Sequence, residues 1–184
     1  MKVTLKEAFT IPNILGYFRL LLIPFFAMEY MKGHYLQAGF LAVLSGLSDL
    51  VDGWFARKFN QVTDLGKVLD PLADKLTQGV AVFLLTDRFP LMLMLVAIWF
   101  VKEGYMAFAM FYNYKKHGVR LDGAKWYGKL CTWVLDCTMV GLLLLPAVSE
   151  PVANILIVVC AFFMLFSLHL YNKEYRTMIR EKNK

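Results

Sequence analysis

Four aspartates carry most of the chemical information in this chain. They lie in Ser48-Asp49-Leu50-Val51-Asp52-Gly53-Trp54-Phe55-Ala56-Arg57, a stretch continued by Gly66, Asp70 and Asp74. Asp49 and Asp52 are three residues apart and Asp70 and Asp74 four apart, so on two helices each pair shares a face. A carboxylate in an apolar segment costs roughly 2.5 kcal/mol or more at mid-helix, and four gathered together repel one another unless a cation joins them. With no histidine or thiolate near them in the sequence, these hard oxygens suit Mg2+, Mn2+ or Ca2+ better than zinc. Ions of that kind can bridge a diphosphate. Gly53 and Ala56 give the first pair's helix a face of little bulk, where a nucleotide or another helix can approach, and Arg57 can complement phosphates. Gly66 does the same for the facing helix or ends the turn. A structural role, in which the aspartates neutralise Arg57, Lys58, Lys67 and Lys75, accounts for one acidic residue near a helix end but gives no reason to collect four.

The elements that position these residues are apolar. Hydrophobic residues make up 59% of the 184, and the mean hydropathy is +0.52, more apolar surface than one small soluble core can hide. A bilayer core about 30 Å thick needs roughly 20 apolar residues per helix. Stretches of that kind fall near 13–31, 36–57, 66–86, 90–114, 124–146 and 150–171. Short breaks such as Lys32-Gly33-His34 and Asp87-Arg88-Phe89-Pro90 make neighbouring helices antiparallel. The expected fold is all-α: an integral membrane bundle of six transmembrane helices, residues 1–184 as one domain, with Met1 to Thr10 as a short interfacial helix. No cleaved signal peptide is expected. The three cysteines, Cys131, Cys137 and Cys160, read as free, buried thiols.

Charge placement orients the bundle. With a cytoplasmic N-terminus, Lys2, Lys6, Arg57, Lys58, Lys67, Lys115, Lys116, Arg120, Lys125, Lys173, Arg176, Arg180, Lys182 and Lys184 fall inside, and only Lys32 and Arg88 outside. Both termini and the aspartates are therefore expected on the cytoplasmic side of a cell membrane. The net charge of +6 reads as topology and attraction to anionic membrane lipids, with no call for nucleic acid.

The spacing Asp49-x2-Asp52-Gly53-x2-Ala56-Arg57-x8-Gly66-x3-Asp70-x3-Asp74 resembles the signature of the CDP-alcohol phosphotransferases at every fixed position, eight specified residues over 26. The resemblance implies an enzyme dependent on Mg2+ or Mn2+, with two ions, and a homodimer. It implies that Asp49, Asp52 and Asp70 hold metal and CDP, while Asp74 touches metal and acts as general base. Two ions would spread the charge of the diphosphate and stabilise departing CMP, and Asp74 would take the proton of the acceptor hydroxyl.

An acylated donor such as CDP-diacylglycerol can enter sideways from the cytoplasmic leaflet, and a soluble alcohol acceptor from the cytosol. Ile11-Pro12-Asn13-Ile14-Leu15-Gly16-Tyr17-Phe18-Arg19 resembles the start of the first helix of bacterial phosphatidylglycerophosphate synthases, which implies glycerol-3-phosphate as acceptor. Pro12 suits a helix start. Asn13 either caps that helix or reaches the nucleotide, and Arg19 either snorkels or contacts a phosphate of the acceptor. Gly128-Lys129-Leu130-Cys131-Thr132 resembles the Gly-Lys-x-x-Thr element of the same synthases, making Lys129 the first candidate for the acceptor site, with Lys125 and Arg120 adding positive field. Where those synthases typically carry Ala-Arg-Glu, this chain reads Val101-Lys102-Glu103. Lys102 and Asp136 sit at matching depth and are expected to pair. The alternatives within the same chemistry are phosphatidylglycerol (a cardiolipin synthase), an inositol phosphate or serine as acceptor. A divalent-cation transporter, which would place its carboxylates near the bilayer midplane, is the alternative from another class.

Overall fold

A computed structural model describes residues 9–59, 63, 65–118, 123 and 125–182. The protein is all-α, with helices α1 (Ile11–Met31), α2 (Tyr35–Lys58), α3 (Gly66–Leu84), α4 (Met92–His117), α5 (Trp126–Leu144) and α6 (Glu150–Lys182), and no strand among the described residues. Their bounds fall within three residues of the apolar stretches read from the sequence, except at the end of α6. That helix runs on from 171 to Lys182, giving 33 residues. At 1.5 Å per residue it is about 50 Å long, well beyond a bilayer core. Its added turns, Asn172-Lys173-Glu174-Tyr175-Arg176, contain no glycine or proline, so nothing stops the helix when hydropathy falls. The expected interfacial helix lies almost wholly outside the described residues.

Five helices are long and apolar enough to cross a membrane: α1, α2 as far as Ala56, α4, α5 and α6. The chain is thus a multi-pass membrane protein. In α3, the charged residues Lys67, Asp70, Asp74 and Lys75 lower the hydropathy of the first turns, the same turns that carry half of the aspartate motif. Large apolar side chains stay exposed around the other helices, Leu50, Phe100, Phe111, Trp133 and Phe162 among them, as lipid-facing surface requires.

The helices form two compact units. The first comprises α1, α2, α3 and the segment Met139–Val148. Helix α1 starts with Thr10 in extended conformation at its N-cap and Pro12 in the first turn, where a missing N–H costs nothing. The reversal into α2 uses Gly33 at φ 80°, a left-handed conformation that glycine adopts without strain. Glu29 braces this turn, accepting from Lys32 at 2.8 Å and lying 2.7 Å from His34 Nδ1. Helices α1 and α3 meet at Gly16, where any Cβ would strike the side chain of Leu69. Likewise α2 presents Gly39 to Leu143 and Leu144.

The second unit comprises Leu85–Thr138 and Ser149–Lys184. Met92 and Leu95 of α4 and Ile157 and Met164 of α6 are buried in it. Helix α4 ends at Gly118, left-handed at φ 58°, behind Lys115, Lys116 and His117 in the last turn. Lys182 of α6 completes that cap by donating to the carbonyls of His117 and Gly118 at 2.6 and 3.3 Å, satisfying acceptors that a helix end leaves open. Cys131 and Cys160 are buried as expected, and Cys160 donates to Thr138 Oγ1 at 3.2 Å. Cys137 is free but exposed, a correction to the reading of three buried thiols. It falls on the outward face of α5, four residues from Trp133, which is also exposed.

Candidate active site

Helical spacing does for the aspartates what the motif requires. Asp49 and Asp52 project from one face of α2 and Asp70 and Asp74 from one face of α3, and all four meet a single side chain, Arg19 of α1. Arg19 Nη1 donates to Asp49 Oδ1 at 2.5 Å and to Asp74 Oδ1 at 2.9 Å. Nη2 donates to Asp70 Oδ1 at 2.9 Å and lies 3.0 Å from Asp52 Oδ2. The last contact is an ion pair without hydrogen-bond alignment, since Asp52 Oδ2 and Arg19 Nε are both buried without a hydrogen-bond partner. The approach of α1 to α3 at Gly16 and Leu69 sets this up: Arg19 is one turn beyond Gly16, and Asp70 follows Leu69 directly.

The four carboxylates are not equivalent. Arg19 is 1% exposed and Asp52 3%, whereas Asp49, Asp70 and Asp74 are 40–45% exposed. Asp52 forms the floor of the site with the guanidinium, and the other three form an accessible rim. Snorkelling, one of the two readings of Arg19, is ruled out by this burial: the side chain turns inward to the carboxylates. Such a turn is favoured because a buried guanidinium without partners would be far more costly than one surrounded by carboxylates.

Next to Asp70, a cavity of about 50 Å³ is lined by Pro12, Asn13, Ala56, Thr63, Gly66 and Lys67. Asn13 is buried and accepts from Thr63 Oγ1 through Oδ1 at 3.0 Å. Thr63 Oγ1 in turn accepts from Gly66 N at 3.0 Å, and Lys67 N donates to the Thr63 carbonyl at 3.2 Å. This is the geometry of a helix N-cap. A Cβ on Gly66 would lie 2.9 Å from Asn13 Oδ1, so glycine is needed where α1 closes on the start of α3. Asn13 is therefore not the cap of its own helix, whose N-cap is Thr10. It ties α1 to α3. Sequence reasoning missed Thr63, although threonine is a residue type favoured at helix N-caps, where its hydroxyl accepts from an N–H two or three residues on.

Other predicted site residues fall along α2, in the second unit or outside the described residues. Gly53 and Ala56 follow the first aspartate pair along α2, half-buried. Arg120 and the side chain of Arg57 are outside the described residues. Lys125 and Lys129 belong to the second unit. There Lys125 pairs with Glu174 of α6 at 3.0 Å, and its N–H donates to Tyr171 Oη at 3.3 Å. Gly128 lies directly under Tyr171, whose hydroxyl any Cβ would meet, so this glycine serves the packing of α5 on α6. Lys129 is exposed in the first turn of α5. Lys102 is buried with its ammonium 2.7 Å from Glu103 Oε1, which identifies a partner that the depth argument did not consider.

A divalent cation fits the donor chemistry: four hard carboxylates converge, one with a buried oxygen lacking a hydrogen bond, around a position where the protein itself places a positive charge. The carboxylates are spaced around a guanidinium, however, and among the described residues no three acidic, histidine or cysteine side chains stand as ligands of a common ion.

Comparison with known proteins agrees with this assembly. The family model described as CDP-alcohol phosphatidyltransferase matches residues 9–167. A CDP-diacylglycerol--glycerol-3-phosphate 3-phosphatidyltransferase of Bacillus subtilis is 31% identical over 86% of this chain and 91% of its own length. A protein of the same name from Aquifex aeolicus is 46% identical over 35% of this chain and 36% of its own length, so that match spans little more than a third of either protein. The cardiolipin synthase (CMP-forming) / mitochondrial hydrolase fusion protein of Schizosaccharomyces pombe is 44% identical over 38% of this chain and 12% of its own length. These matches set aside the transporter reading. From the motif, the helices and a family match spanning most of its length, the chain belongs to the CDP-alcohol phosphatidyltransferase family.

Proposed function

We propose that this protein transfers the phosphatidyl group of CDP-diacylglycerol to glycerol-3-phosphate and releases CMP, a step of phospholipid synthesis. The observation that carries the proposal is the convergence of Asp49, Asp52, Asp70 and Asp74 in a chain of this family. The Bacillus subtilis relative, aligned along nearly its whole length, supports glycerol-3-phosphate as acceptor.

Asp49, Asp52 and Asp70 would hold Mg2+ or Mn2+, two ions by the resemblance, with Asp74 shared between metal and acceptor. A divalent ion bound there supplies charge neutralisation to the donor's diphosphate. Asp74, on the accessible rim, accepts the proton of the acceptor hydroxyl. The hydroxyl oxygen attacks the β-phosphorus, the phosphoanhydride bond breaks, and CMP leaves with the bonding electron pair. Gly53 and Ala56, the small residues that follow the first aspartate pair along α2, are assigned to the cytidine, with Gly66 and Asn13 at the border of that site, and Arg57 is assigned to the phosphates by its place in the motif. Lys129 is the residue assigned to the acceptor's phosphate, since the charge of Lys125 is engaged by Glu174. The protein works in a cell membrane with the site and both termini cytoplasmic, as the distribution of Lys and Arg supports. The homodimer implied by the family would form through part of the exposed apolar helix surface.

A second reading, with phosphatidylglycerol as acceptor, is favoured by the Schizosaccharomyces pombe relative and by Lys102 in place of arginine. Incubating purified protein with CDP-diacylglycerol and each acceptor in turn, followed by lipid analysis, separates them. The proposal predicts phosphatidylglycerophosphate from glycerol-3-phosphate; cardiolipin as the sole product would transfer the assignment to the second reading.

A further inference from the structure

We infer that Arg19 is an internal cation of the carboxylate cluster, and that it sets the metal affinity of the site by competing with a divalent ion for the same four aspartates. The inference rests on the reading of these aspartates as metal ligands, and extends it to a residue outside the signature. Arg19 comes from α1, thirty residues before Asp49. Yet its terminal nitrogens contact all four carboxylates, Nη1 spanning Asp49 and Asp74 and Nη2 spanning Asp70 and Asp52.

The competition follows from charge and geometry. A guanidinium carries one positive charge, delocalised in a planar fork, and cannot offset four carboxylates; divalent ions can come closer to doing so. The oxygens it holds, Oδ1 of Asp49, Asp70 and Asp74, are also those on the accessible rim through which an ion must arrive. Two cations drawn to one set of oxygens weaken each other's hold reciprocally, because the coupling between them is a single free energy. Burial sharpens this. With Arg19 and Asp52 sealed from solvent, their attraction is poorly screened, and so is the repulsion between the guanidinium and an entering ion. Arg19 is therefore a positioning residue: it keeps two helices' carboxylates facing one point, and it competes with an arriving ion for their oxygens.

The test is a Mn2+ titration of detergent-purified protein without nucleotide, reading free Mn2+ by electron paramagnetic resonance. Arg19→Gln is expected to bind Mn2+ about tenfold more tightly than the unaltered protein, within the usual range of coupling between sites. Arg19→Lys, a point charge that cannot span four carboxylates, is expected to fall between, and it decides the matter alone if the glutamine variant does not fold. Metal-free Arg19→Gln should also melt at a lower temperature than the unaltered protein and recover more on adding Mn2+. Asp70→Asn should weaken Mn2+ binding in every background. If Asp70→Asn weakens binding but neither Arg19 variant tightens it, the inference is overturned while the metal reading stands. If even the unaltered protein binds no Mn2+, the metal reading fails and the inference with it.

Discussion

Asp52 and Asp74 belong to one cluster but meet different surroundings, and their substitutions should fail in different ways. Asp52 is sealed beside Arg19, so Asp52→Ala leaves a buried guanidinium short of a partner and should destabilise the protein by about 3 kcal/mol, seen as a lower melting temperature in detergent. Asp74 is on the rim. Asp74→Asn keeps the oxygen that accepts from Arg19 Nη1 and removes the proton acceptor, so turnover should fall by about a hundredfold or more while the donor still binds. Lost binding with undiminished turnover per bound donor would contradict that role. The motif made all four aspartates legible, because three- and four-residue spacings report directly on a helix face. Arg19 was harder to read. Nothing in a sequence tells whether a shallow arginine turns to lipid headgroups or to carboxylates of other helices; only the packing of α1 decides it.

At the scale of elements, the site depends on how closely α1 approaches α3. Gly16 permits that approach, and the bonds of Thr63 Oγ1 to Asn13 Oδ1 and from Gly66 N hold the start of α3 against the first turn of α1. Gly16→Val should force Leu69 aside and cost about 1–3 kcal/mol, as overpacking does. Leu69→Ala made in the same chain should return part of that loss; equal melting temperatures for the single and double variants would show that the contact does not set the spacing. Thr63→Ala removes the cap, with an expected loss of about 1 kcal/mol by the same measurement. Helix positions were legible from hydropathy to within a few residues. The end of α6 was not, because hydropathy marks where a helix leaves the membrane and says nothing of a polar continuation held by Lys182 on the end of α4.

For the whole molecule, the charge asymmetry fixes a testable orientation. In a cysteine-free background, Lys32→Cys should react with a membrane-impermeant thiol reagent in intact cells, and Lys173→Cys only after the membrane is opened; the reverse pattern would invert the topology. Fold class and reaction class were both open to reading, since apolar segments of membrane length and a dense acidic motif are strong local signals. The acceptor was less legible, because its recognition depends on isolated cations such as Lys129 whose spacing is shared with ordinary positively charged loops. If the carboxylate cluster transfers a phosphatidyl group from a CDP-linked donor, CMP release from CDP-diacylglycerol and glycerol-3-phosphate with Mg2+ will differ between the purified protein and Asp70→Asn. CMP and an equal amount of phosphatidylglycerophosphate are expected from the unaltered protein and neither from the variant. CMP release that persists undiminished in Asp70→Asn, or no CMP from the unaltered protein with any acceptor, would contradict that role of the cluster.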